Sequence, residues 1–122
     1  MRILHVEDDE TVAGLAKEML EIEGCQVETC LDGNAALEKI SGAAQYDLLL
    51  VDDDLPGING LELVYRARKL DHRCRTPIIV LSATPVGPAA REAGADVFLQ
   101  KPQDVGSLVD TITRLLSEHE RD

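Results

Sequence analysis

The chain has 122 residues, 44% hydrophobic and 29% charged, which fits one globular domain with a single core. Its 23 Asp and Glu against 12 Lys and Arg give a formal net charge of −11, a surface that repels phosphate backbones and speaks against direct nucleic-acid binding. No apolar run approaches the roughly 20 residues of a membrane span, and acidic residues follow Met1–Val6 too soon for a signal peptide, so no membrane contact and a cytoplasmic location are expected.

In chain order, Ile3–Val6 reads as a first strand and runs into Glu7, Asp8 and Asp9. Val12, Leu15, Ala16, Met19 and Leu20 form an apolar stripe at helical spacing, closed by Gly24 as a C-terminal cap. Val27–Cys30 is a second strand. The turn Asp32-Gly33-Asn34 leads into a short stripe of Ala36, Leu37 and Ile40. Leu48–Val51 is a nearly unbroken apolar strand that runs into Asp52, Asp53 and Asp54. Leu63, Val64, Ala67 and Leu70 predict a third helix before Pro77. Ile78–Leu81 is a fourth strand ending at Ser82. Beyond it lie Pro85, Gly87 and Pro88; Pro88 at the first helical position and Gly94 just past the end bracket less than two turns. Val97–Leu99 is a fifth strand, followed by Lys101-Pro102. Leu108, Val109, Ile112, Leu115 and Leu116 make the last stripe, with Asp104 as its N-cap.

Cys25, Cys30 and Cys74 have no metal-type spacing and read as reduced, mostly buried small hydrophobes. His5, on a buried strand, reads as a core histidine with its hydrogen bonds satisfied. His72 and His119 read as loop and tail residues.

The order βαβαβαβαβα predicts an α/β fold over residues 1–122 as one domain. Its form is a doubly wound, flavodoxin-like parallel sheet of order 2-1-3-4-5, with helices on both faces and a shortened fourth helix. Ligands of such sheets bind beyond the carboxyl ends of the strands. There the sequence brings the carboxylates after strands 1 and 3, Ser82 after strand 4 and Lys101 after strand 5 to one edge. Crowded carboxylates repel one another, and a hard divalent cation relieves this. Few carboxylates with room for water suit Mg²⁺. A carboxylate beside such a metal can act as a nucleophile toward phosphorus, with an ammonium neutralising charge on the transferring group.

With these residues in view, the sequence resembles the receiver domains of two-component response regulators. The resemblance rests on Ile3-Leu4-His5-Val6-Glu7-Asp8-Asp9, Asp47 through Gly57, Gly60-Leu61-Glu62-Leu63, Leu81-Ser82-Ala83 and Gly94 through Pro102. It implies that Asp52, four positions before Pro56, accepts a phosphoryl group. It implies that Glu7 and Asp8 hold Mg²⁺ together with Asp52 and the backbone carbonyl of Asp54. Ser82 matches the switch hydroxyl, Lys101 the lysine that meets the phosphoryl group, and Phe98 the switch aromatic. The implied donor is a sensor histidine kinase or a phosphotransfer protein, and the implied output is an unnamed partner or effector domain. The chain would then be a switch rather than an enzyme, promoting only its own phosphoryl transfer and dephosphorylation. The proline-rich segment Thr84–Ala93 departs from the family's longer fourth helix, so a standard dimer through the fourth and fifth helices is not expected.

Three rivals are weaker. Asp52-Asp53-Asp54 is similar to the Asp-x-Asp loop of haloacid-dehalogenase-like phosphohydrolases, but that loop follows a first strand. A calcium loop is opposed by Pro56 at its fifth position, where an oxygen side chain is needed. A pseudo-receiver, an interaction module not regulated by phosphorylation, is opposed by competent residues at all five key positions.

Overall fold

The structure, a computed structural model, describes the backbone of residues 1–121 and the side chains of residues 1–118. The strands are β1 (Arg2–Val6), β2 (Gln26–Cys30), β3 (Leu48–Asp52), β4 (Ile78–Ser82) and β5 (Val97–Gln100). The helices are α1 (Glu10–Ile22), α2 (Gly33–Ser41), α3 (Gly60–Arg68), α4 (Gly87–Ala93) and α5 (Leu108–Arg121). All strand pairs are parallel and the sheet order is β2-β1-β3-β4-β5, as expected.

The unbroken apolar runs are explained by burial on both faces of the sheet. Leu4, Val6, Leu49, Val51, Ile78 and Val80 pack under α2, α3 and α4 against Ile40, Leu63 and Val64. Ile3, Leu48, Leu50, Ile79 and Leu81 point the other way, against Leu20 of α1 and Leu108, Ile112 and Leu116 of α5. Each such fully buried Leu or Ile contributes about 1.5–3 kcal/mol.

Local chemistry sets the helix ends. Asp9 caps α1 by accepting from the Thr11 and Val12 amides at 2.9 and 3.1 Å. Gly24, with φ +92°, ends it as the stripe predicted: the Gly24 amide donates to Glu21 and the Cys25 amide to Leu20. Asp32 caps α2 through the Ala35 amide at 2.7 Å, so Gly33 and Asn34 lie inside the helix rather than in a turn. α4 has seven residues, less than two turns, with Pro88 at its second position rather than its first.

Four further expectations are corrected. The α1 stripe is rotated, because the face that packs runs through Ala13, Ala16, Met19 and Leu20: Ala13 and Leu20 are buried and Ala16 and Met19 half-buried, while Val12 and Leu15 are 39% and 64% exposed. Asp104 does not cap α5. Its carboxylate accepts from the Gln100 amide at 2.8 Å, and a 3-10 turn, Val105–Ser107, precedes the helix. Only Cys30 is buried; Cys25 is half-buried, and Cys74 is exposed with its thiol donating to the Asp71 carbonyl. His5 is buried but not satisfied. Its side chain shares the apolar face of Ile3, and Nδ1 has no partner there. His72 is a loop residue as read, but its Nε2 lies 3.0 and 2.9 Å from the Ile40 and Gly42 carbonyls. The His119 side chain lies outside the described residues.

The amino ends of the strands are tied by two arginines that sequence reading did not single out. Arg68 donates to the carbonyls of Gly94, Thr76, Arg73 and Cys74 and to the Asp96 carboxylate. Arg73, 3% exposed, donates to Ile40, Gly42 and Ala44 and lies over the Tyr46 ring.

Candidate functional site

The parallel register places the acidic residues before any side chain is considered. Val6 pairs with Val51, so Glu7 and Asp52 emerge side by side from adjacent strands. One backbone hydrogen bond beyond each ladder holds the exits. The Glu7 amide donates to Cys30, Asp53 to Leu81 and Lys101 to Ser82, at 2.9, 3.1 and 2.9 Å.

Glu7, Asp8 and Asp52 each offer a carboxylate oxygen, and these oxygens lie within 4.8 Å of one another. Glu7 is 2% and Asp52 7% exposed; Asp8 is open to solvent. The Lys101 ammonium reaches in at 3.4 Å from Glu7 and 3.8 Å from Asp52. A single cation does not neutralise three acids. Burial first, then a hydrogen bond shared with Asp52 and its charge, push the Glu7 carboxyl up to about 8, against the opposing pull of Lys101. Asp53 is also raised, by burial first and then by Asp52 and Asp54, with the Ser82 hydroxyl opposing. Burial also lowers His5, to about 4, and the Lys101 charge adds to this.

The predicted residues separate into two groups. Glu7, Asp8, Asp52 and Lys101 come together. Ser82 stands at the end of the adjacent strand, buried, with its hydroxyl accepting from the Thr84 amide at 3.0 Å. Phe98 does not join the acids. It lies on β5 beside Val80, half-buried, on the face covered by α2, α3 and α4. The Asp54 side chain is exposed and outside the carboxylate group, and Asp9 is used as a helix cap.

Gly60 is a site residue that sequence reading quoted without a role. A Cβ on it would come 2.2 Å from the Asp52 carbonyl oxygen and 2.7 Å from the Asp53 Cα. Its bareness lets α3 start against the acidic loop, where the Gly60 amide donates to the Asp53 carbonyl at 3.0 Å. The pair Asn59-Gly60 was the available signal, a helix cap followed by a residue with no side chain.

The donor set fits a hard divalent cation. Three clustered carboxylates, one of them pushed toward its protonated form by burial first and then by Asp52, are the arrangement that such an ion stabilises.

Comparison with known proteins points to one family. Residues 3–113 match the model of the response regulator receiver domain family. The response regulator ArlR of Staphylococcus saprophyticus is 37% identical over 118 residues, covering 94% of this chain and 52% of that protein. This chain therefore spans about half the length of the curated relatives it matches. A CheY-like receiver domain protein from Methanospirillum hungatei is 32% identical, with a TM-score of 0.90 over 98% of this chain and 96% of that one. The receiver domain of the sensor histidine kinase PA1611 from Pseudomonas aeruginosa is 28% identical. Its TM-score is 0.86 over 95% of this chain and 97% of that one, and it was solved with magnesium coordinated in its active-site cleft.

Proposed function

We propose that this chain, which belongs to the response regulator receiver domain family, is a phosphorylation-driven signalling switch whose acceptor is Asp52, over residues 1–122 as one unit. The observation that carries this is the meeting of Glu7, Asp8 and Asp52 within 4.8 Å under the Lys101 ammonium. The receiver domain family is not a classical enzyme family, and among the described residues no helix is long and apolar enough to cross a membrane.

Glu7, Asp8, Asp52 and the Asp54 carbonyl would hold Mg²⁺, which supplies positive charge against the phosphoryl oxygens when bound. An Asp52 carboxylate oxygen attacks phosphorus on a phosphohistidine of a sensor kinase or phosphotransfer protein. The O–P bond forms as the P–N bond breaks, and the imidazole keeps the electron pair. Lys101 leaves Glu7 and meets the new phosphoryl oxygens, replacing one carboxylate partner with another anion. Ser82 turns its hydroxyl from Thr84 toward a phosphoryl oxygen, and Phe98 moves into the space that this opens. The surface of α4, β5 and α5 then changes for an output partner in the cytoplasm.

Intact mass after incubation with acetyl phosphate and Mg²⁺ tests this on the wild type and Asp52→Ala. One phosphoryl adduct that needs Mg²⁺ and is absent from Asp52→Ala is expected. No adduct on the wild type, with beryllofluoride also failing to bind, moves the reading to a pseudo-receiver. An adduct that survives in Asp52→Ala moves the acceptor to Asp53 or Asp54.

A further inference from the structure

Three helices begin on a glycine: Gly33 in α2, Gly60 in α3 and Gly87 in α4. Glycine weakens a helix, and none of the three has the positive φ that would require it. Space explains each one. A Cβ on Gly33 would come 1.8 Å from the Ile58 carbonyl oxygen, and one on Gly60 2.2 Å from that of Asp52. Both neighbours are backbone and cannot yield.

Gly87 is different in kind. The three atoms nearest its Cβ would all belong to the Phe98 ring, Cδ2 at 3.2 Å, Cγ at 3.7 Å and Cε2 at 3.8 Å. A ring on a rotatable side chain can yield. The short segment between β4 and α4, with Pro85 and Pro88 on either side of Gly87, sets the first residue of α4 against this ring. The ring is half-buried, two residues before the Gln100 that pairs with Ser82, so it borders the exit of β4.

We infer that Gly87 keeps open the seat in which the resting Phe98 ring lies, and so sets the balance between the two positions of the switch aromatic. This rests on the receiver reading above. The bare Cα lets the ring lie against α4 before phosphorylation. A single methyl there crowds the ring in its resting place and favours the position away from α4.

Phe98 is the only phenylalanine in the chain, so ring-¹³C-phenylalanine labelling gives NMR signals from this one ring. Spectra are compared with and without Mg²⁺ and beryllofluoride for the wild type, Gly87→Ala and Gly14→Ala. Fluorine signals report beryllofluoride binding independently. Gly14 is the control, because a Cβ there meets nothing within 4 Å. Beryllofluoride should shift the wild-type ring signals. Gly87→Ala without beryllofluoride should sit part of the way along that shift, and Gly14→Ala at the wild-type position. Resting signals of Gly87→Ala that coincide with wild type, or that leave the line joining its two states, overturn the inference. So does Gly14→Ala moving equally. Bound beryllofluoride that leaves the wild-type ring unmoved overturns the inference and the Phe98 step of the cycle but leaves Asp52 as acceptor, whereas beryllofluoride that fails to bind overturns the receiver reading as a whole.

Discussion

At the carboxyl ends of the strands, Glu7, Asp8 and Asp52 crowd together with one ammonium in reach. At the amino ends, Arg68 and Arg73 spread their donors over backbone carbonyls and one carboxylate. Both ends use charged groups with little exposure, Asp8 excepted, yet the first crowds like charges together and the second spreads its donors over carbonyl acceptors. Uncompensated carboxylates cost stability and gain it back when a cation arrives. Guanidinium donors already engaged by carbonyls contribute to stability at all times, with no ligand required. The fold thus keeps responsiveness at one edge and rigidity at the other.

The largest effects follow from exchanging these roles. Asp52→Asn is expected to abolish the phosphoryl adduct completely while leaving the melting temperature equal or higher, because it removes one charge from the crowd. Arg73→Ala should do the reverse. It strips donors from three carbonyls and a cation from the Tyr46 ring, so unfolding free energy should fall by about 3 kcal/mol. Urea titration measures the loss, and adduct per folded molecule should stay at the wild-type level. A destabilised Asp52→Asn, or an Arg73→Ala that folds normally, would break the division between the two ends.

That division was legible at only one end. Leu48–Val51 and Ile78–Leu81 announce buried parallel strands by composition, and the residue after each strand lands at the edge by topology alone. So the runs Glu7-Asp8-Asp9 and Asp52-Asp53-Asp54, with Ser82 and Lys101, could be placed at that edge from spacing, while the choice of Glu7, Asp8 and Asp52 within the runs came from the resemblance to receiver domains. The arginines could not, because their acceptors are carbonyls of distant loops whose positions exist only after folding. The α1 stripe misled because periodicity reports an apolar face without saying which face a neighbour covers. Ala13 and Leu20 pack, while Val12 and Leu15 of the same helix face solvent. Asp104 has the chemistry of a cap, but the Gln100 amide claims its carboxylate first. The Asp32-Gly33 and Asn59-Gly60 pairs are caps followed by space-making glycines, a use that looks identical to a turn until the facing backbone is known.

Glu7 gives a smaller effect with a definite sign. Its carboxyl is raised from 4.5 to about 8 in the folded protein. Its contribution to stability is therefore fully present below about pH 4.5 and is lost as pH rises through about 8 in metal-free protein. Mg²⁺ must displace this proton, so its apparent affinity should weaken by up to about tenfold per pH unit below 8. Melting curves from pH 5 to 9 should show the Mg²⁺-dependent gain growing with pH, and Glu7→Gln should flatten that dependence. A gain that is constant with pH, or a Glu7→Gln protein that keeps the wild-type slope, would remove Glu7 from the proton balance of the site.

The smallest effect separates helix strength from site chemistry. Gly14 lies inside α1, exposed, with a backbone that any residue adopts and open space where a Cβ would go. Gly14→Ala should raise stability by about 0.5–1 kcal/mol, or a few degrees in melting temperature. The rate of adduct formation from acetyl phosphate should stay unchanged, because Asp9 still caps the helix and no atom of residue 14 meets the acids. Gly60→Ala is the matched opposite. The same methyl, 2.2 Å from the Asp52 carbonyl oxygen, must displace the loop that carries the acceptor and should lower stability and adduct rate together. If Gly14→Ala also slowed the adduct, the carboxyl end would depend on the flexibility of α1 and not only on the placement of its acids. If Gly60→Ala left the rate intact, the acidic loop would be free to shift without cost, and the register of β3 would no longer explain where Asp52 stands.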